Sequence, residues 1–134
     1  MREHQVRTAL RAYRRSSWGQ ATEDADQAAG LCKRASLVLL ELLHREGVDE
    51  AQLWHLGYPT EDGGFGSTDE HYVVVIDNEA IDPSARQFDQ DDEPVTRRRL
   101  AEVCVPWNVA RAVRPPIHEE RPPVWGHFTK VFYL

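Results

Sequence analysis

Cysteine is scarce in this chain: Cys32 and Cys104 are the whole supply in 134 residues. That count excludes a disulfide-stapled miniature fold and a cysteine-rich zinc site. The six histidines, at positions 4, 44, 55, 71, 118 and 127, show neither HExxH spacing nor any partnership with a CxxC pair. Neither a metal nor a cofactor is therefore expected. Long apolar runs are also missing. The run Leu37 to Leu40 stops at Glu41, far short of the roughly 18 residues that a membrane span needs, so no membrane partner is expected. The start, Met-Arg-Glu-His, has no apolar stretch behind it and does not read as a secretory signal. With two cysteines and no such signal, the expectation is free thiols in a reducing cytoplasm.

An excess of positive charge is lacking too. The formal net charge is −6, which argues against nucleic acid, whose binding is driven by cations on phosphates. The basic clusters Arg11/Arg14/Arg15 and Arg97/Arg98/Arg99 read as solvated helix faces instead. What is present is ordinary for a globular protein: 41% hydrophobic and 28% charged residues. The length fits one domain over 1–134 with a core of its own. No internal repeat is found.

Hydrophobic periodicity gives the elements. Val6, Leu10 and Tyr13 put a thin apolar stripe on a helix over 2–15, and Ser16 to Asp26 reads as a loop. From Gln27 to Arg45, apolar residues at Leu31, Ala35, Val38, Leu39 and Leu42 recur at helical steps and predict a buried central helix. Asp24 or Asp26 would cap its start, and Gly47 would follow its end. Gln52 to Tyr58 reads as a strand, and Thr60 to Asp69, with Gly63, Gly64 and Gly66, as a mobile loop. The run from His71 to Ile76 is a second strand. Asp77-Asn78 turns the chain into Glu79–Asp82, where Pro83 ends the ladder. Arg97 to Glu102 reads as a short helix, Arg114 to Pro123 as a Pro-rich connection, and Val124 to Leu134 as a last strand. The fold class is α+β, with a helix on one face of an antiparallel sheet.

Three residues carry a candidate chemistry. Cys32 is placed near the head of the central helix, where unpaired N–H groups favour a thiolate. A free cysteine on a helix is ordinarily a small buried hydrophobe, and Cys104, between Val103 and Val105, fits that description. His71 opens its strand. With a two-residue turn, Ile76 pairs with Glu79, Val74 with Ile81 and Val73 with Asp82. Asp82 then shares a face with His71, diagonally across the hairpin. A carboxylate there can accept an imidazole N–H and stabilise the imidazolium. Taken singly, His71 and Asp82 read as a solvent-facing histidine and a turn residue before Pro83. Together, three placements point to one constellation.

The order Cys32, His71, Asp82 resembles the papain-like and transglutaminase-like cysteine superfamily. The stretches His71-Tyr-Val-Val-Val and Ile81-Asp82-Pro83-Ser84-Ala85-Arg86-Gln87-Phe88 look like bacterial papain-fold toxin or effector domains. The resemblance covers about 26 to 90. It implies a papain-like (transglutaminase-like) core, with Cys32 as nucleophile, His71 as general base and acid, and Asp82 as the orienting residue. It also implies a polar oxyanion donor ahead of the nucleophile, for which Gln27 and the more distant Gln20 are the candidates beside the Cys32 backbone N–H. Gly30 would let substrate backbone approach. Arg86 and Gln87 would bind substrate or, in the plainer reading, tie down the loop after the hairpin. Trp54, Trp107 and Trp125 read as core or rim aromatics, and Glu61, Asp62 and Asp69 as a solvated loop. The implied activity is a cysteine protease, glutamine deamidase or acyltransferase acting on a protein or peptide. The alternative is a non-catalytic binding module on the same fold. Oligomeric state is not legible.

Overall fold

A computed structural model of the chain describes residues 2–59, 65–104, 107, 109–114 and 132–133. It is α+β. Helices α1 (Arg2–Arg15), α2 (Ser17–Ala21) and α3 (Ala25–Arg45) come first. Strands β1 (Gln52–Pro59), β2 (Phe65–Ile76) and β3 (Glu79–Asp82) follow, then a 3-10 turn at Ala85–Gln87 and β4 (Thr96–Arg99). Helix α4 (Leu100–Cys104) and strands β5 (Val109–Arg114) and β6 (Phe132–Tyr133) complete the order. All strand pairs among the described residues are antiparallel, and the sheet order is β4-β3-β2-β1-β5-β6.

α3 forms where its periodicity predicts it. Asp24 caps its start, accepting from the Asp26 and Gln27 N–H groups. Gly47, with φ +88°, follows the C-cap Glu46 and takes the left-handed conformation that a helix exit asks for. The apolar stripe of α3 meets Val6, Ala9 and Tyr13 of α1 and Leu53, Tyr72 and Val74 of the sheet in the main core. The opposite sheet face carries a smaller cluster of Leu56, Val73, Val75 and Ala80, covered in part by Leu100 and Val103 of α4 and by Trp107. Helices thus lie on both faces, the larger layer on one.

The β2–β3 hairpin has the expected register: Ile76↔Glu79, Val75↔Ala80 and Val74↔Ile81. Asp77 supplies the left-handed turn residue at φ 53°, a conformation aspartate tolerates better than most.

Three expectations need correction. Ser16 to Asp26 is not all loop, because Ser16 caps the short α2 through the Gly19 N–H. Part of the expected mobile loop is strand: β2 begins at Phe65, opposite Pro59, beyond a register shift after Gly57. Residues Thr60 to Gly64 lie outside the described residues. The arginine run is an edge strand, with α4 starting only at Leu100. Arg97 there bonds Glu79 across the strand pair and Glu3 of α1, so its charges are spent on strand and helix partners. Val109–Arg114, to which the sequence assigns no element, is a strand paired with β1. The Pro-rich connection beyond Arg114, and the final strand apart from Phe132–Tyr133, lie outside the described residues. Among the described residues, no helix is long and apolar enough to cross a membrane.

Candidate active site

Period-2 alternation puts His71 on the same sheet face as Val73 and Val75. β1 pairs with it through Leu56, while the β2–β3 ladder has its last rung at Val74↔Ile81. His71 therefore lies past the end of β3, beside the point where the chain leaves the sheet at Asp82. There the Asp82 Oδ2 sits 2.7 Å from His71 Nε2, and both side chains are buried. The other carboxylate oxygen, Oδ1, accepts from the Ser84 N–H at 2.9 Å and the Ser84 hydroxyl at 3.2 Å. This Asx-type turn, set up by Asp-Pro-Ser, fixes the carboxylate that faces the ring.

Cys32 of α3 packs against the main core, and its thiol is near enough to the His71 ring to help raise the imidazole pKa. With Nε2 given to Asp82, Nδ1 is the nitrogen left for the thiol proton, and the Gln87 amide already faces it at 3.1 Å. Burial alone pushes the His71 pKa down. The charge and hydrogen bond of Asp82, joined by Cys32, more than offset this and hold it up at about 9. The set can therefore support a proton on the imidazole beside the sulfur, which is what thiolate chemistry requires.

One expected source of thiolate stabilisation is absent. α3 begins at Ala25, so Cys32 lies beyond the first turn rather than at the helix head. Its N–H belongs to the helical ladder, and the field of the helix end has faded there. The backbone N–H of Cys32 is thus no ready oxyanion donor. Gln27 is not at the site either. It is exposed in the first turn of α3, and five helical residues rotate it roughly 140° from Cys32.

Gly30 lies in α3, two residues before Cys32. Arg86 is a tether: its guanidinium donates to the Asp92 and Glu23 carbonyls, both at 2.9 Å. Gln87, by contrast, is at the site. Its Nε2 lies 3.1 Å from His71 Nδ1 and 3.0 Å from Ser84 Oγ. Ser84 and Phe88 are further site residues that received no role in the sequence reading. Both lie in the Asp-Pro-Ser-Ala-Arg-Gln-Phe stretch, so the signal was there.

A cleft of about 500 Å³ opens on the ring, lined by His71, Asp82, Phe88, Thr96, Arg98, Glu102, Val103 and Trp107. Phe88 is 61% exposed, yet meets His71 edge-on with centroids 4.8 Å apart. Trp107 lies nearly parallel to the imidazole at 6.1 Å. It is therefore a cleft wall, not only a rim aromatic. Trp54 packs on the smaller core cluster, and Trp125 lies outside the described residues, as do Glu61 and Asp62. Both cysteines are free thiols, and partial burial pushes that of Cys104 up. Among the described residues, no group of three His, Cys, Asp or Glu is arranged to hold a metal ion.

No protein-family model, curated protein or solved structure matches this chain. Any function must therefore be argued from the site itself.

Proposed function

We propose that the chain is a cysteine-dependent amide or acyl hydrolase or acyltransferase with a papain-like core, acting on a protein or peptide. The observation that carries this reading is the buried 2.7 Å pair of His71 and Asp82 at one end of a hairpin, with Cys32 of α3 near enough to raise the imidazole pKa. The Cys32 thiol gives its proton to His71, and the sulfur attacks a carboxamide carbon. His71 passes that proton to the departing amine as the C–N bond breaks, leaving an acyl-thioester. Water or an amine, deprotonated by His71, then attacks the thioester carbon. The proton returns through His71 to the sulfur as the C–S bond breaks. Asp82 holds the ring and offsets its charge throughout.

Water as acceptor makes the enzyme a protease or a glutamine deamidase, and an amine makes it a transglutaminase-like transferase. The test is intact-mass spectrometry of a glutamine-rich protein mixture after incubation with the protein and with Cys32→Ala. Exchange of amide nitrogen for oxygen marks deamidation, cleavage marks a protease, and a cross-link marks transfer. No Cys32-dependent change in any target would refute the enzyme.

A second reading is a binding module on the same fold. The position of Cys32 inside the helical ladder favours it. Iodoacetamide separates the two: a catalytic Cys32 reacts far faster than Cys104, whereas a merely structural one does not.

A further inference from the structure

Four side chains form a closed ring of hydrogen bonds: His71 to Asp82, Asp82 to Ser84, Ser84 to Gln87, and Gln87 back to His71. Counting protons around this ring fixes its polarity. An ionised carboxylate only accepts. The Ser84 hydroxyl, 3.2 Å from Asp82 Oδ1, therefore spends its one hydrogen there. Ser84 Oγ must then accept from Gln87, so the group facing it at 3.0 Å is the amide NH2 and not the amide oxygen. The same nitrogen lies 3.1 Å from His71 Nδ1 and has one hydrogen left to give it. Nδ1 is consequently an acceptor, and the ring proton sits on Nε2, facing Asp82.

We propose that Gln87 is a positioning residue that sets the tautomer of the neutral His71 ring and weighs against the imidazolium. Nδ1 has one site, which either accepts a hydrogen or carries one. While the Gln87 amide donates to it, the ring is neutral and ready as a base. Once Nδ1 is protonated, the Gln87 N–H meets another N–H. The amide must then turn, losing its bond to Ser84. Gln87 thus opposes Asp82 and Cys32, which both favour the imidazolium. The other charged groups at the cleft are already paired: Arg98 of β4 with Asp92, and Glu102 of α4 with Arg99. β1 contributes apolar Leu56 opposite the ring, while Phe88 and Trp107 are uncharged. Gln87 is therefore the neutral polar group on the ring whose replacement changes the balance most directly.

The proposal rests on the catalytic reading for His71 as a base. The ring of bonds is measurable whether or not an amide is turned over, so the two can fail separately. The experiment is a pH titration of the imidazole nitrogens by NMR in the full chain, with His71 assigned by loss of its signals in His71→Gln. The wild type should show neutral His71 protonated on Nε2. Gln87→Leu should raise the His71 pKa by about one unit, and Gln87→Glu, which faces Nδ1 with an acceptor, by more. A side chain that only fills space would leave the His71 titration of Gln87→Leu like that of the wild type, and the rise in Gln87→Glu includes the charge of the new carboxylate. Neutral His71 protonated on Nδ1 in the wild type would overturn the proposal without recourse to a variant. An unchanged or lowered pKa in Gln87→Leu would overturn it as well.

Discussion

The Ser36 hydroxyl donates a hydrogen bond of 3.0 Å to the Tyr72 carbonyl, and both residues are buried. Ser36 lies one helical turn beyond Cys32, and Tyr72 follows His71. The bond therefore ties the helix bearing the thiol to the strand bearing the imidazole, next to both. Ser36→Ala should reduce stability by about 1 kcal/mol, the usual net value of one such bond. It should also slow alkylation of Cys32, because the register of α3 on β2 sets the sulfur against the ring. Urea denaturation and iodoacetamide kinetics check the two effects separately. A stability loss with unaltered alkylation would remove the alignment role.

Where a local rule and the tertiary fold agree, the sequence was readable. The face shared by His71 and Asp82 follows from two-residue turn geometry, and the observed register keeps it. α3 was legible because apolar spacing, an Asp cap and Gly47 all agree. Strand pairing defeats such rules. Phe65 to Glu70 is polar and Gly-containing, yet β1 recruits it. Arg97–Arg99 looks like a solvated helix, but β3 needs an edge partner and takes it. Cys32 was placed too near the helix head because the start of α3 lies in a polar stretch with no apolar period to mark it. Gln87 reaches His71 only because the 3-10 turn folds it back, and no spacing rule anticipates that.

Stability should carry the signature of the His71–Asp82 pair. The imidazole pKa is raised from 6.5 in the free group to about 9 in the folded protein, against the pull of burial and through Asp82 and Cys32. A raised pKa means the folded state binds the proton more tightly. The contribution is fully present below the unfolded value and is lost as pH rises through the folded one. The stability gap between wild type and Asp82→Asn should therefore be largest near pH 6.5 and narrow towards pH 9. Urea midpoints at three pH values across that window measure it, and a gap that widens with pH contradicts the assignment.

Gly47 gives a control away from the site. Its φ of +88° strains any L side chain, and a Cβ there would also come within 3.2 Å of the Gln5 amide nitrogen. Gly47→Ala should cost about 1 kcal/mol, as expected where alanine must adopt a left-handed backbone. Cys32 alkylation under native conditions should be unchanged, because the C-terminal end of α3 does not touch the cleft. Slower alkylation in this variant would mean that α3 transmits strain along its length.

Phe88 separates binding from stability. A side chain that is 61% exposed contributes little apolar burial. It nevertheless stands edge-on to His71 at 4.8 Å and forms a wall of the cleft with Trp107. In water such a ring is tolerated; against a substrate it becomes contact area. Phe88→Ala should leave the melting temperature nearly unchanged, because few contacts are lost when the cleft is empty. For any amide substrate found by the mass-spectrometric assay, KM should rise several-fold while kcat changes less, the pattern of an interaction made equally in the ground and transition states. If kcat falls and KM holds, Phe88 acts through the orientation of the imidazole instead. If neither changes, the cleft does not take the substrate, and the acyl group must approach Cys32 from elsewhere.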